Sequence, residues 1–258
     1  MKKTFLAAIG TLAVTIIAPA GAADLQPAYK AAPAAYQPRC AHFGGWYVGG
    51  NLGWASLQNE WTDRDSWVDN FSSDWSIGTV KTTKGGVSVG GQGGYNWQRN
   101  CTVFGFEIDG SWTDIHSNKS SSPTAGLGTK LNLDTKMDWY STIRTRTGIV
   151  VDDVLLYVTG GFAFASIKQG WSITDTNNNN LTESFSSDKT RWGGVFGVGA
   201  EWAWTANWSL RTEALYMIFK EETVTGFSPA GAQNVSFDLN NSVFVARAAV
   251  NYRFGGGY

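Results

Sequence analysis

Nine charged residues stand in segments that are otherwise aromatic, aliphatic or small: the acids Glu107, Asp109, Glu201 and Glu213, and the arginines Arg144, Arg146, Arg211, Arg247 and Arg253. Two carboxylates held close together are the apparatus of acid–base chemistry, as in glycoside hydrolysis. Carboxylates facing guanidiniums are equally the makings of a neutral ion-pair cluster, and the choice turns on whether a substrate can reach them. There are two histidines, His42 and His116, and His116 has Ser111, Ser117 and Asp114 near it in sequence, the residue types of a nucleophile and its base. Cys40 and Cys101 are the two thiols and allow a single intramolecular pairing.

The elements that position these groups follow an export signal. Met1, Lys2 and Lys3 precede an apolar run to Ala18, and PAGAAD then supplies small residues, so residues 1–22 read as a Sec signal peptide cleaved after Ala22 or Ala23. The run is too short for a spanning helix and is closed by Pro19. Residues 23–43 are Ala- and Pro-rich without apolar period and are expected as an extended periplasmic leader. The barrel domain is expected over 44–254, with 255–258 as a short tail. Thirty-one Gly, thirteen Trp and 43% apolar residues, with a mean hydropathy just below zero, suit strands that hide apolar residues in alternation. The net charge of -1, falling to about -3 without Lys2 and Lys3, implies no nucleic-acid partner.

Eight segments alternate with period two. In GGWYVGGNLGW, Trp46, Val48, Leu52 and Trp54 share one face and Tyr47 and Asn51 the other. GGVSVGGQGGYNW sets Val87, Val89, Tyr95 and Trp97 against Ser88, Gln92 and Asn96, and VFGFEIDGSW sets Phe104, Phe106, Ile108 and Trp112 against Glu107 and Asp109. DWYSTIRTRTGIV opposes Trp139, Ile143 and Ile149 to Thr142, Arg144 and Arg146, and the nearly apolar LLYVTGGFAFA is placed with Leu156, Val158, Phe162 and Phe164 outward. RWGGVFGVGAEW sets Trp192, Phe196, Val198 and Trp202 against Glu201; WSLRTEALYMIF sets Trp208, Leu210 and Tyr216 against Arg211 and Glu213; SVFVARAAVNYRF sets Phe244, Val250, Tyr252 and Phe254 against Arg247, Asn251 and Arg253.

The connections alternate in length. Turns are expected at 98–100, 151–153 and 203–207, and long Ser-, Asn-, Thr- and Asp-rich loops near 56–83, 113–137, 166–190 and 220–241. That asymmetry predicts an all-β fold, an eight-stranded antiparallel up-and-down transmembrane β-barrel with short periplasmic turns and four long extracellular loops. A soluble barrel also alternates, but it gives aromatic residues no reason to gather at both strand ends. Here Trp46, Trp97, Trp202, Trp208 and Tyr252 fall near one end, and Trp54, Trp112, Trp139, Phe164 and Trp192 near the other, as membrane-interface girdles. The expected location is the bacterial outer membrane.

With these segments in place the chain resembles the alphaproteobacterial outer-membrane immunogenic protein family, opacity-type relatives of the OmpA-like barrel. The resemblance rests on WYVGGNLGW after a Pro/Ala leader, GGQGGYNWQ, FGFEIDG, DWYSTIRTRTGIV with LLYVTGGFAFA, GVGAEW and VNYRF, in that order. It implies surface antigenicity, attachment or envelope-stability roles, and, for some relatives, haem binding. Such proteins commonly end on the aromatic of the last strand, so the assembly signal read by the barrel-insertion machinery falls on Phe254 or Tyr258.

An eight-stranded barrel is just wide enough to be filled by side chains. The inward acids and arginines are therefore expected to pair with each other as a plug, out of reach of any polymer, and a wide pore is disfavoured. His42 and His116 fall on opposite sides of the membrane and cannot share a site. No enzyme, cofactor or metal is expected; a haem or other hydrophobic-ligand receptor built on the loops is the alternative to a structural and adhesive role. Lipid, lipopolysaccharide and host or envelope molecules are the expected partners. Trp61, Trp67, Phe71, Trp75 and Trp171 lie in the loop regions, where they either pack across extended hairpins or present a sticky surface. Export and topology place Cys40 and Cys101 together at the periplasmic rim, predicting a disulfide.

Overall fold

A computed structural model of the chain describes residues 40–64, 79–121, 129–175, 181–228 and 233–254. They form nine strand segments: β1 (Gly45–Asp63), β2 (Thr79–Arg99), β3 (Thr102–Ser121), β4 (Thr129–Val151), β5 (Val154–Asp175), β6 (Leu181–Ala203), β7 (Trp208–Phe219), β8 (Glu222–Ser228) and β9 (Gln233–Arg253). β7 and β8 are one stave: Ile218 pairs Ser242 and Glu222 pairs Leu239, so one extra residue is absorbed at Lys220–Glu221 as a bulge. Eight antiparallel staves therefore close, β1 pairing with β9. Tracing the ladder once around from Tyr47 through Gly94, Glu107, Arg144, Gly161, Val195, Met217 and Val243 returns to β1 at Leu57, ten residues further on. Such a stagger tilts the strands by roughly 40° and widens the tube enough for large side chains.

The segments expected as long loops are in large part ladder. Their Thr and Ser residues continue the period of two with polar side chains, and polarity read as loop was in fact the solvated length of the hairpins. Trp61 accordingly sits in β1 with its side chain 3% exposed. Trp67, Phe71 and Trp75 lie outside the described residues.

At this end the tube divides. β2 pairs β3 only as far as Ser88 with Thr113, and β6 pairs β7 only as far as Gly193 with Phe219. Beyond those points pairing continues within β8–β9–β1–β2 and within β3–β4–β5–β6. Each split begins at a bulge, between Trp112 and Ile115 in β3 and at Lys220–Glu221, because the extra residue bends one strand off its neighbour. Glu222 spans the second seam to Lys189 at 2.7 Å and Arg191 at 3.0 Å.

The interior is layered. Nearest the short turns, Phe43, Val103, Val150, Leu155 and Tyr157 form an apolar base. The charged layer lies above it. Beyond that comes an apolar layer including Leu57, Ile115, Met137, Ile167, Met217, Phe219 and Val243, which the emphasis on interior charge did not anticipate.

The short turns are built on residues that tolerate left-handed backbone, Asn100 with φ 55° and Asp152 with φ 54°. The described residues ahead of the first strand, 40–44, are tied to the barrel. Ala41 donates its N–H to the Asp152 carbonyl at 2.8 Å, Phe43 is fully buried, and the Asn96 amide donates to the Phe43 carbonyl at 2.8 Å. Residues 1–39 and 255–258, which include the expected signal peptide, most of the leader and Tyr258, lie outside the described residues. Cys40 and Cys101 are joined by a disulfide across a Cα–Cα distance of 5.4 Å. It closes a loop of 61 residues; the chain-entropy limit is about 4 kcal/mol, less whatever the closed barrel already restricts. Denatured protein alkylated without reductant should gain no label, and two labels after reduction. Two labels without reductant would contradict the disulfide.

Candidate functional site

The alternation of β3, β4, β6, β7 and β9 turns four acids and four arginines into one buried layer, all at most 5% exposed. Arg144 binds Glu107 and Asp109 through Nη2 and Glu213 through Nη1 at 2.9 Å. Arg247 reaches Asp109 at 3.1 Å and Glu213 at 2.7 Å. Arg211 joins Glu107 at 2.5 Å to Glu201 at 3.0 Å, and Arg146 adds a second 3.0 Å bond to Glu201. Neutral groups complete the shell: Tyr47, Tyr157, Ser209 and Asn251 donate to Glu107, Glu213, Glu201 and Glu201 respectively, and Thr142 to Asp109. Each of the eight carboxylate oxygens accepts at least one hydrogen bond, while Arg144 Nε and Arg146 Nη2 are left without partners. Four negative charges meet four positive ones, which is what allows either set to leave water.

The layer is written twice. In β1–β4 the ladder aligns Tyr47, Gly94, Glu107 and Arg144, and in β5–β9 it aligns Tyr157, Gly199, Glu213 and Arg247. In both halves the tyrosine lies across the glycine strand to donate its hydroxyl to the glutamate. A β-carbon on Gly94 would sit 2.5 Å from the Tyr47 hydroxyl, and one on Gly199 2.4 Å from the Tyr157 ring, so glycine makes each crossing possible. The guanidinium of Arg146 stacks over both rings, 4.7 Å from Tyr47 and 5.3 Å from Tyr157. Sequence reading identified the charges but assigned no role to the two tyrosines or to these glycines; the repeated Tyr-Val pair, Tyr47-Val48 and Tyr157-Val158, was the signal available.

Arg253 was expected in the network and is not part of it. It ends β9 at the short-turn rim, below the carboxylates, where it donates to the carbonyls of His42, Thr205 and Ala206 and stacks over Phe43 at 4.7 Å. Arg191 was not singled out, yet it is buried beyond the apolar layer, bonded to Gln169 and Glu222. His116 is exposed and bonded to Asp134 at 2.8 Å, whereas Ser111 and Ser117 are buried on the opposite face of the same strand. His116 and these serines therefore form no nucleophile–base pair, and its Nε2 is already engaged. Trp46, Trp54, Trp97, Trp112, Trp192, Trp202 and Trp208 all project outward with 46–69% exposure, and Tyr252 packs against Trp208 at 5.1 Å. Trp139 is half-buried beside its ladder partner Trp112. Phe254 is outward and its N–H binds the Trp46 carbonyl at 2.9 Å.

The sequence model of the outer membrane protein beta-barrel domain family matches residues 11–254. The 31 kDa outer-membrane immunogenic protein of Brucella melitensis is 30% identical over 256 residues, 98% of this chain and 100% of that protein. The 22 kDa outer membrane protein of Rhizobium leguminosarum is 28% identical over 57% of this chain and 61% of its own length. Among solved structures, the outer membrane protein OprG from Pseudomonas aeruginosa shares the fold, with a TM-score of 0.52 and 13% identity over 84% of this chain and 98% of that one.

Two substitutions examine the layer. Glu107→Ala removes a partner of Arg144 and Arg211, leaves the layer with one uncancelled positive charge, and is expected to lower stability by about 3–5 kcal/mol, against about 0.5 kcal/mol or less for exposed Glu221→Ala, in urea unfolding of the detergent-solubilised protein. Equal midpoints would contradict the ion-pair assignment. Gly199→Ala should cost about 1–3 kcal/mol by crowding Tyr157, and the cost should largely vanish in a Tyr157→Leu background. An unchanged cost in that background would refute the crossing role.

Proposed function

The chain belongs to the outer membrane protein beta-barrel domain family, and from that premise we propose that it is a structural and surface-presenting barrel, contributing to envelope integrity and surface adhesion, with its bore closed rather than open to solutes. The observation that carries this is the inversion of polarity. Leu52, Phe162 and Val198 face outward with 59–61% exposure, while Arg144, Arg146 and Arg211 are among the largest fully buried side chains. Such an arrangement is unfavourable in water and favourable in hydrocarbon. Trp46 and Trp54 stand eight residues apart on one face of β1; at roughly 3.3 Å per residue and a tilt of roughly 40° their belts are about 20 Å apart, close to the apolar height of an outer-membrane barrel.

On this reading the short turns and the disulfide face the periplasm, and the extended hairpins stand outside the cell. The relatives named as immunogenic support that exposure. Residues 1–22 would direct export, the barrel-assembly machinery would read Phe254 or Tyr258, and outer-leaflet lipid, lipopolysaccharide and host or envelope molecules would be the partners. The charged layer and the two apolar layers supply the closure.

Unboiled protein should migrate differently from boiled protein in a denaturing gel, because a closed barrel has no free edge for detergent to open. Liposomes containing it should not swell in isotonic small sugars. Identical mobility together with recovery in the soluble periplasmic fraction would overturn membrane residence, and swelling would overturn closure.

A further inference from the structure

A recess of about 340 Å3 lies on the outer wall across β2, β1, β9 and β7, at the lower end of the size range of small-ligand sites. Its height is set by where the outward apolar series ends. On β1 the outward residues after Trp54 are Ser56, Gln58 and Glu60, and on β9 Ser242 and Asn240 lie beyond Phe244. The floor is Tyr216 and Ile218, the last outward apolar positions of β7, and the rim carries Gln58, Thr83, Asn240 and Ser242. Its two charges cancel, since Lys81 pairs with Glu60 at 3.3 Å. An aromatic and aliphatic floor under a ring of neutral amides and hydroxyls matches a ligand with an apolar C–H face and many hydroxyls. A phosphate alone would find a single, already paired cation.

We propose that this recess binds the sugar headgroup of an outer-leaflet glycolipid. The sugar ring lies against Tyr216, its hydroxyls exchange hydrogen bonds with Gln58, Thr83, Asn240 and Ser242, and the acyl chains run down the apolar wall beneath, past Phe244 and Trp54. The membrane source follows from position, because the recess opens where the apolar belt gives way to polar wall. This rests on the outer-membrane reading above and adds to it a defined lipid site.

The test is native mass spectrometry of the full chain in a sugar-free amine-oxide detergent, titrated with rough-form lipopolysaccharide, with the deacylated oligosaccharide from it, and with phosphatidylethanolamine. Intact glycolipid should bind at one saturable site, and Gln58→Ala combined with Asn240→Ala should weaken it about tenfold, two exposed hydrogen-bonding groups being lost. Asn118→Ala, exposed on β3 away from the recess, should bind as wild type. Undiminished binding by the double variant, or equal binding of phosphatidylethanolamine, would overturn the site. Equal affinity of the deacylated oligosaccharide would overturn the lipid assignment in favour of a soluble saccharide. The gel-mobility shift separates the two claims: its absence in wild type refutes the membrane reading, whereas a normal shift with unchanged binding by the double variant refutes only the recess.

Discussion

An eight-stranded tube has no room for bulk water, so the charges its strands turn inward must be met there by other groups, in the mid-barrel layer by opposite charge from other strands. The rest of the molecule follows from this constraint. In the mid-barrel layer it sets Arg144, Arg146, Arg211 and Arg247 against Glu107, Asp109, Glu201 and Glu213, with Arg144 spanning Glu107 and Asp109 two places apart on β3. It also fixes register, since a slip of one residue would send the guanidiniums into lipid and the aromatic belt into the bore. Buried ion pairs seldom add much stability over apolar packing, yet a broken one is costly. The layer is thus better understood as a lock on register and closure than as a source of net stability.

The cancellation is distributed evenly. Glu107 with Arg144 and Glu213 with Arg247 occupy matching places in the two four-stave halves, each attended by a tyrosine that crosses a glycine strand. The halves are joined through Arg144 to Glu213 and Arg247 to Asp109. The seams at the far end also fall at matching places, after β2 and after β6, each at a bulge. The seams thus separate β8–β9–β1–β2 from β3–β6, two staves out of step with the repeat, so each half beyond the layer takes strands from both charged units.

Much of this was legible in the chain itself. Period-two alternation from Trp46 to Phe254 marked every stave, and it placed Glu107, Asp109, Arg144, Arg146, Glu201, Arg211, Glu213 and Arg247 inside because charges on the other face would meet lipid. Cys40 and Cys101 were readable together because the topology put both at one rim. Other features depend on height along the axis, which alternation does not encode. Arg253 shares the inward parity of Arg247 but sits at the rim, where turn carbonyls replace carboxylates. The apolar layer is hidden because Leu57, Ile115, Met137 and Ile167 fall in segments whose polar residues read as loop, and at Met217 both faces are apolar. Polar hairpin extensions read as loops, since solvated strands lose the contrast between faces. The recess on the outer wall draws on four strands distant in sequence and left no local motif.

The central claim is that the bore is closed by charges that stabilise one another, and the most direct measurement of it is the coupling free energy between Glu213 and Arg247. Unfolding free energies of Glu213→Leu, Arg247→Met and the double variant form a cycle. Each single change leaves a net charge in the layer, whereas the double change leaves three acids facing three arginines. The account predicts that each single variant loses about 3–5 kcal/mol and that the double variant loses far less than their sum. Additive losses would mean that the two side chains act independently, and would contradict it.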